Sequence, residues 1–88
     1  MSYSLAVSEE LDRAFQKLKK RDARQLSVIN RKVQQILENP YHCKPLRGEM
    51  HGIRRVHIGK SFVLTYEIDE ANKTVRLLDY AHHDVIYE

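Results

Sequence analysis

The chain changes its hydrophobic period once, and the change falls at Asn39-Pro40. Before it, Leu11, Phe15 and Leu18, and then Leu26, Ile29, Val33, Ile36 and Leu37, recur at helical spacing. After it, apolar and polar residues alternate in three short runs, Ile53 to Ile58, Phe62 to Asp69 and Thr74 to Tyr80, as in half-buried strands. Tyr3, Leu5 and Val7 alternate in the same way with Ser4 and Ala6, so a short strand precedes the helices. A chain that reads strand, helix, helix and then three strands is restricted to an α+β architecture with the helices packed on one sheet face.

The boundaries of these elements are written in their polar residues. Ser8 is placed to cap the first helix, with Glu9, Glu10 and Asp12 in its first turn and Lys17, Lys19, Lys20 and Arg21 towards its end, a match to the helix macrodipole. Asp22 followed by Gln25 three residues on reads as a capping box that starts the second helix. Almost no linker separates the two, which makes them an αα-hairpin. Pro40 ends the second helix, and the stretch to Gly52, with two prolines and two glycines, reads as one surface loop. Gly59-Lys60 and Asp69 to Lys73 turn the chain between consecutive antiparallel strands, giving a meander. With no repeats and no low-complexity tract, residues 1–88 read as one domain.

Strand alternation assigns faces. Val56 and Ile58 are expected to meet the helices, leaving Ile53, Arg55 and His57 on the open face. In the next strand Phe62, Leu64, Tyr66 and Ile68 form the apolar set, so Val63, Thr65 and Glu67 are expected outward. The charge is uneven as well. Lys44, Arg47, Arg54, Arg55 and Lys60 face only Glu49 between residues 44 and 60, while the rest of the chain is nearly balanced. A basic stripe of this kind suits a polyanion or an acidic protein surface.

Several function classes are disfavoured. Cys43 is the only cysteine, so there is no internal disulfide and no cysteine-based metal framework, in keeping with a reducing compartment. The histidines lack a helical metal-binding pair, and adjacent His82 and His83 would point in opposite directions in an extended chain. Neither a phosphate-binding glycine loop nor a nucleophile elbow is present. The start, MSYSLAVSEELDRAF, does not read as a signal peptide and no run approaches a membrane span, so a cytoplasmic location without membrane contact is expected. At the other end, DYAHHDVIYE sets Val85, Ile86 and Tyr87 after the histidine pair, and such apolar residues suggest a tail that docks and holds His83 and Tyr87 in place.

The stretch KPLRGEMHGIRRVHIGKSFVLTYEID, together with the ending HHDVIY, resembles the RelE/ParE superfamily of toxins from type II toxin–antitoxin systems. The resemblance runs over nearly the whole chain, from the first strand and helical hairpin through Pro45-Leu46-Arg47-Gly48 to the meander and aromatic tail. It is most similar to the YafQ branch of ribosome-dependent messenger-RNA endonucleases. Gly52, Arg54 and His57 reproduce the branch's Gly-x-Arg-x-x-His element, Tyr66 follows nine residues later, and His83 with Tyr87 matches its terminal histidine and aromatic. Lys44 stands where that branch usually has a histidine before Pro-Leu, Ser61-Phe62 where it has Asp-Trp, and Asp79 where it commonly has an arginine.

The resemblance implies a RelE-like fold and metal-independent RNA cleavage without a cofactor. Such cleavage needs a base for the 2′-hydroxyl, an acid for the leaving 5′-oxygen and cations for the phosphate. Histidine, with an ordinary pKa of about 6.5, can serve as either base or acid near neutrality. On this reading His57 and His83 form the acid–base pair, Tyr87 stacks on or orients the nucleotide, and Arg55 with Arg54 or Arg76 holds the scissile phosphate. Lys44, Arg47 and Lys60 bind the surrounding RNA. The implied partners are the ribosome, its messenger RNA and an antitoxin of the RelB or DinJ kind. Two rival readings share the fold: a ParE-like poison of DNA gyrase, and an inactive homologue that only binds antitoxin.

Overall fold

In the computed structural model, which describes residues 3–42 and 52–82, the element order follows the change of period. Strand β1 (Ser4–Val7) leads into helices α1 (Glu9–Arg21) and α2 (Ala23–Glu38), a short 3-10 turn (Pro40–His42), and strands β2 (Ile53–Ile58), β3 (Phe62–Asp69) and β4 (Thr74–His82). Among the described residues, no helix is long and apolar enough to cross a membrane.

The helix ends are set by the side chains that the sequence placed there. Ser8 Oγ accepts from the Leu11 amide at 3.1 Å and starts α1. Asp22 then does two jobs: its backbone N–H donates to the Leu18 carbonyl, while its carboxylate accepts from the Gln25 amide at 3.1 Å and starts α2. One residue therefore closes one helix and opens the next, and the two must turn sharply. The Asn39 N–H donates to the Gln35 carbonyl and finishes α2.

The sheet order is β1-β4-β3-β2, with β1 parallel to β4 and the other pairs antiparallel. Leu11, Leu18, Ile29, Val33 and Ile36 from the helices pack on Ile58, Leu64, Tyr66, Val75 and Leu77 from the sheet. That is the α+β arrangement of strand, helical hairpin and three-strand meander expected from the sequence.

Two features depart from simple alternation. The register between β3 and β4 shifts between Thr65, opposite Asp79, and Tyr66, opposite Leu77, which leaves Leu78 as an extra residue. This bulge flips the phase of β4, so that Val75, Leu77, Tyr80 and His82 share the helix side while Arg76, Asp79 and Ala81 share the other. The strand also runs two residues past the expected end at Tyr80, because His82 pairs with Phe62. Secondly, Val63 and Thr65 take the outward orientation expected of them but are buried, with exposures of 0% and 4%. β3 is a central strand flanked by β2 and β4, and its short outward side chains lie between those of its neighbours.

Candidate active site on the open sheet face

The face turned away from the helices is organised in rows set by strand register. His57 of β2 lies opposite Val63 of β3, which lies opposite Ala81 of β4. The next row is Arg55, Thr65 and Asp79, and the one beyond is Ile53, Glu67 and Arg76. His57 is exposed and Arg55 half-buried, two residues apart on one strand and therefore on one side of it. Beside them Val63, Thr65 and Ala81 offer a low floor of small side chains. Thr65 is held there by its hydroxyl, which donates to the Asp79 carbonyl at 3.4 Å. The result is a cation and an imidazole standing over a shallow, rigid surface.

The other cations expected at the site divide among separate places. Arg54 alternates with Arg55 and belongs to the opposite side of β2, where its guanidinium lies 5.2 Å from the centre of the Tyr41 ring and donates to the Tyr41 carbonyl at 3.4 Å. Arg76 is on the same face as His57 but two rows away, where Glu67 and Asp69 both engage it as ion pairs. Lys60 is exposed in the β2–β3 turn, three residues beyond His57. Lys44, Arg47, His83 and Tyr87 lie outside the described residues. Tyr66, the tyrosine of the sequence motif, is fully buried, and its hydroxyl donates to the Pro40 carbonyl at 2.6 Å. Among the described residues, no group of three His, Cys, Asp or Glu side chains gathers closely enough to hold a metal ion.

β4 determines what comes next to this face. Its described end, His82, pairs with Phe62 in the row adjoining that of His57, Val63 and Ala81. Across two strand spacings, the His57 and Ala81 backbones are roughly 10 Å apart.

A model of the ParE-like toxins of type II bacterial toxin–antitoxin systems matches residues 5–88. The chain belongs to this family. The toxin candidate RelE4 of Methanocaldococcus jannaschii is 46% identical to this ParE-like toxin over 86 residues, which cover 98% of this chain and 92% of the relative. The RelBE2 toxin–antitoxin complex of Mycobacterium tuberculosis superposes with a TM-score of 0.76 at 25% identity, covering 94% of this chain and 100% of the other. The DinJ–YafQ toxin–antitoxin complex of E. coli gives 0.73 at 17% identity, with both chains fully covered, which speaks for the shared fold.

This ParE-like toxin also contains a polar cluster that sequence reasoning missed. Glu70, in the β3–β4 turn, accepts from the Tyr3 hydroxyl at 2.8 Å and the Tyr41 hydroxyl at 2.6 Å, and Lys73 binds its other oxygen. Lys73 also lies 5.4 Å from the centre of the Tyr3 ring. Lys73 first, then Tyr41 and Tyr3, hold the Glu70 carboxyl down to about 2. Its bonds in turn raise the Tyr3 and Tyr41 hydroxyls above their ordinary value. The cluster ties the start of β1 and the 3-10 turn to the sheet, and through Tyr41 it reaches Arg54. No local signal announces it, because its tyrosines stand 67 and 29 residues from Glu70.

Proposed function

We propose that this toxin is a ribosome-dependent messenger-RNA endonuclease that cuts by metal-free acid–base chemistry and thereby stops translation. The observation that supports this best is the placement of exposed His57 and half-buried Arg55 on one side of β2, beside the low floor of Val63, Thr65 and Ala81. A flat, cation-flanked face admits an extended RNA strand, which a deep pocket would not.

In this mechanism His57 and His83 divide the two proton transfers, one taking the proton of the 2′-hydroxyl and the other giving a proton to the departing 5′-oxygen. The 2′-oxygen forms a bond to phosphorus as the bond to the 5′-oxygen breaks, so the products are a 2′,3′-cyclic phosphate and a 5′-hydroxyl. Arg55 offsets the charge that grows on the phosphate, Tyr87 stacks on or orients the nucleotide, and Lys44, Arg47, Arg54, Lys60 and Arg76 contribute to the field that holds RNA. Arg76 does so with its charge shared by Glu67 and Asp69.

The toxin is inhibited by an antitoxin of the RelB or DinJ kind, as the solved toxin–antitoxin complexes of RelBE2 and DinJ–YafQ suggest. An acidic antitoxin segment laid over the basic residues would mask the charges that RNA needs. The working compartment is the cytoplasm, where ribosomes are.

End-group analysis of cut messenger RNA tests this reading. Purified toxin with ribosomes and message is expected to leave 2′,3′-cyclic phosphates and 5′-hydroxyls. Ends bearing a 5′-phosphate and a 3′-hydroxyl, as a metal-activated water would give, would overturn it. The ParE-like description of the family favours a second reading, a poison of DNA gyrase. Inhibition of gyrase supercoiling without any RNA cleavage would establish that one instead.

A further inference from the structure

A cleft of about 500 Å³ opens between the α1–α2 corner and the β2–β3 turn, on the helix side of the sheet. Phe62 and Tyr80 form its aromatic wall, with ring centres 5.1 Å apart and planes only 12° from parallel. The wall is fixed from several sides. Gln25 Nε2 donates to the Tyr80 hydroxyl at 3.1 Å, Phe15 meets Tyr80 edge-on, and His82 meets Phe62 edge-on at 5.5 Å. Arg21 and Lys60 stand on the rim, both exposed and neither in an ion pair among the described residues. The single carboxylate in the lining, Asp22, is committed to capping α2. Gln25 and Ser61 add an amide oxygen and a hydroxyl.

We propose that this cleft is a nucleotide subsite, which takes the base and phosphate of the RNA residue neighbouring the one presented to His57. This rests on the endonuclease reading for its biological role, but its chemistry is its own. The half-buried Phe62–Tyr80 pair gives a base an aromatic contact surface without regard to identity, Arg21 and Lys60, neither in an ion pair among the described residues, suit a phosphate, and the cleft lies in the size range of small-ligand sites. The Gln25 Oε1 atom and the Ser61 hydroxyl add hydrogen-bonding groups beside the base.

Its position connects it to the candidate active site. Ile58 pairs with Phe62 to close the β2–β3 turn, so His57 and Phe62 lie on the two sides of the sheet at the same end. Lys60 stands at the crest between them. A single strand that passes over this turn would set one nucleotide on the open face and the next against Phe62 and Tyr80.

The probe is a 2′-deoxy tetranucleotide, which binds but has no 2′-hydroxyl to react, titrated into the full-length toxin and followed by two-dimensional NMR. The expected result is saturable shifts at the Gln25 side-chain amide and at the Ser61 and Phe62 backbone amides. Arg21→Glu and Lys60→Glu, both on exposed positions, are each expected to weaken those shifts by roughly three- to tenfold and to reduce the salt dependence of binding by about one unit of slope. Shifts confined to residues around His57 and Arg55, or no saturable shift at the cleft, would overturn the proposal, as would a cleft that responds to an acidic peptide and not to the oligonucleotide. Cleavage is measured separately. Oligonucleotide in the cleft with no RNA cutting would sink the endonuclease reading alone, whereas cutting whose KM is unchanged in both rim variants would sink the subsite alone.

Discussion

Tyr66 donates its buried hydroxyl to the carbonyl of Pro40, 2.6 Å away, and so joins the middle of β3 to the turn that follows α2. The phenol is sealed in the core among Ile29, Ile36 and Leu64, beyond the reach of a substrate on the open face. Tyr66→Phe leaves the ring in place but orphans the Pro40 carbonyl, and is expected to cost about 1–2 kcal/mol in stability. Urea unfolding of the variant checks this. A change in RNA cleavage with unaltered stability would instead give the hydroxyl a part in the chemistry.

Glu70 should shape the acid limb of the stability curve. Its folded-state pKa is lowered from 4.5 to about 2, so its stabilising contribution is complete above about 4.5 and is lost as the pH falls from there towards about 2. Glu70→Gln removes that titration. Denaturant midpoints collected between pH 5 and pH 2 are expected to fall less steeply for the variant than for the wild type, and parallel curves would show that the cluster does not hold β1 and the 3-10 turn to the sheet.

Asp22 closes one helix and opens the next, and its side chain carries only the second task. Asp22→Ala is therefore expected to lose about 1 kcal/mol, the ordinary cost of a missing N-cap, while Asp22→Asn and Asp22→Ser lose less. Thermal unfolding by circular dichroism separates the three. Equal losses in all of them would point to the carboxylate charge and not to capping.

These contacts also show what the sequence made legible. Ser8, Asp22 and Pro40 marked the helix ends because capping and helix breaking are local, read within a turn of the chain. The separation of Arg54 from Arg55 was equally available, since neighbours on a strand must face opposite ways. The inward placement of Tyr80 and His82 was harder. It depends on Leu78, an extra residue in β4 whose effect appears only when the register against β3 is known. The place of β1, parallel to β4 at the sheet edge, is likewise a question of topology that alternation in Tyr3, Leu5 and Val7 does not answer. The Glu70 cluster gathers side chains from three distant segments, and the Phe62–Tyr80 wall joins two strands whose partnership needed the fold first.

The central claim is that His57 does chemistry. His57 is exposed, and the comparison is made on folded protein so that a loss of stability is read apart from a loss of chemistry. Primer extension on messenger RNA engaged by ribosomes, with wild type and His57→Ala compared at matched folded protein, is the measurement that tests it most directly. Cuts by the wild type that the variant makes roughly 10²–10⁴-fold more slowly are the expected result. Identical cuts by both proteins would contradict it and remove His57 from the mechanism.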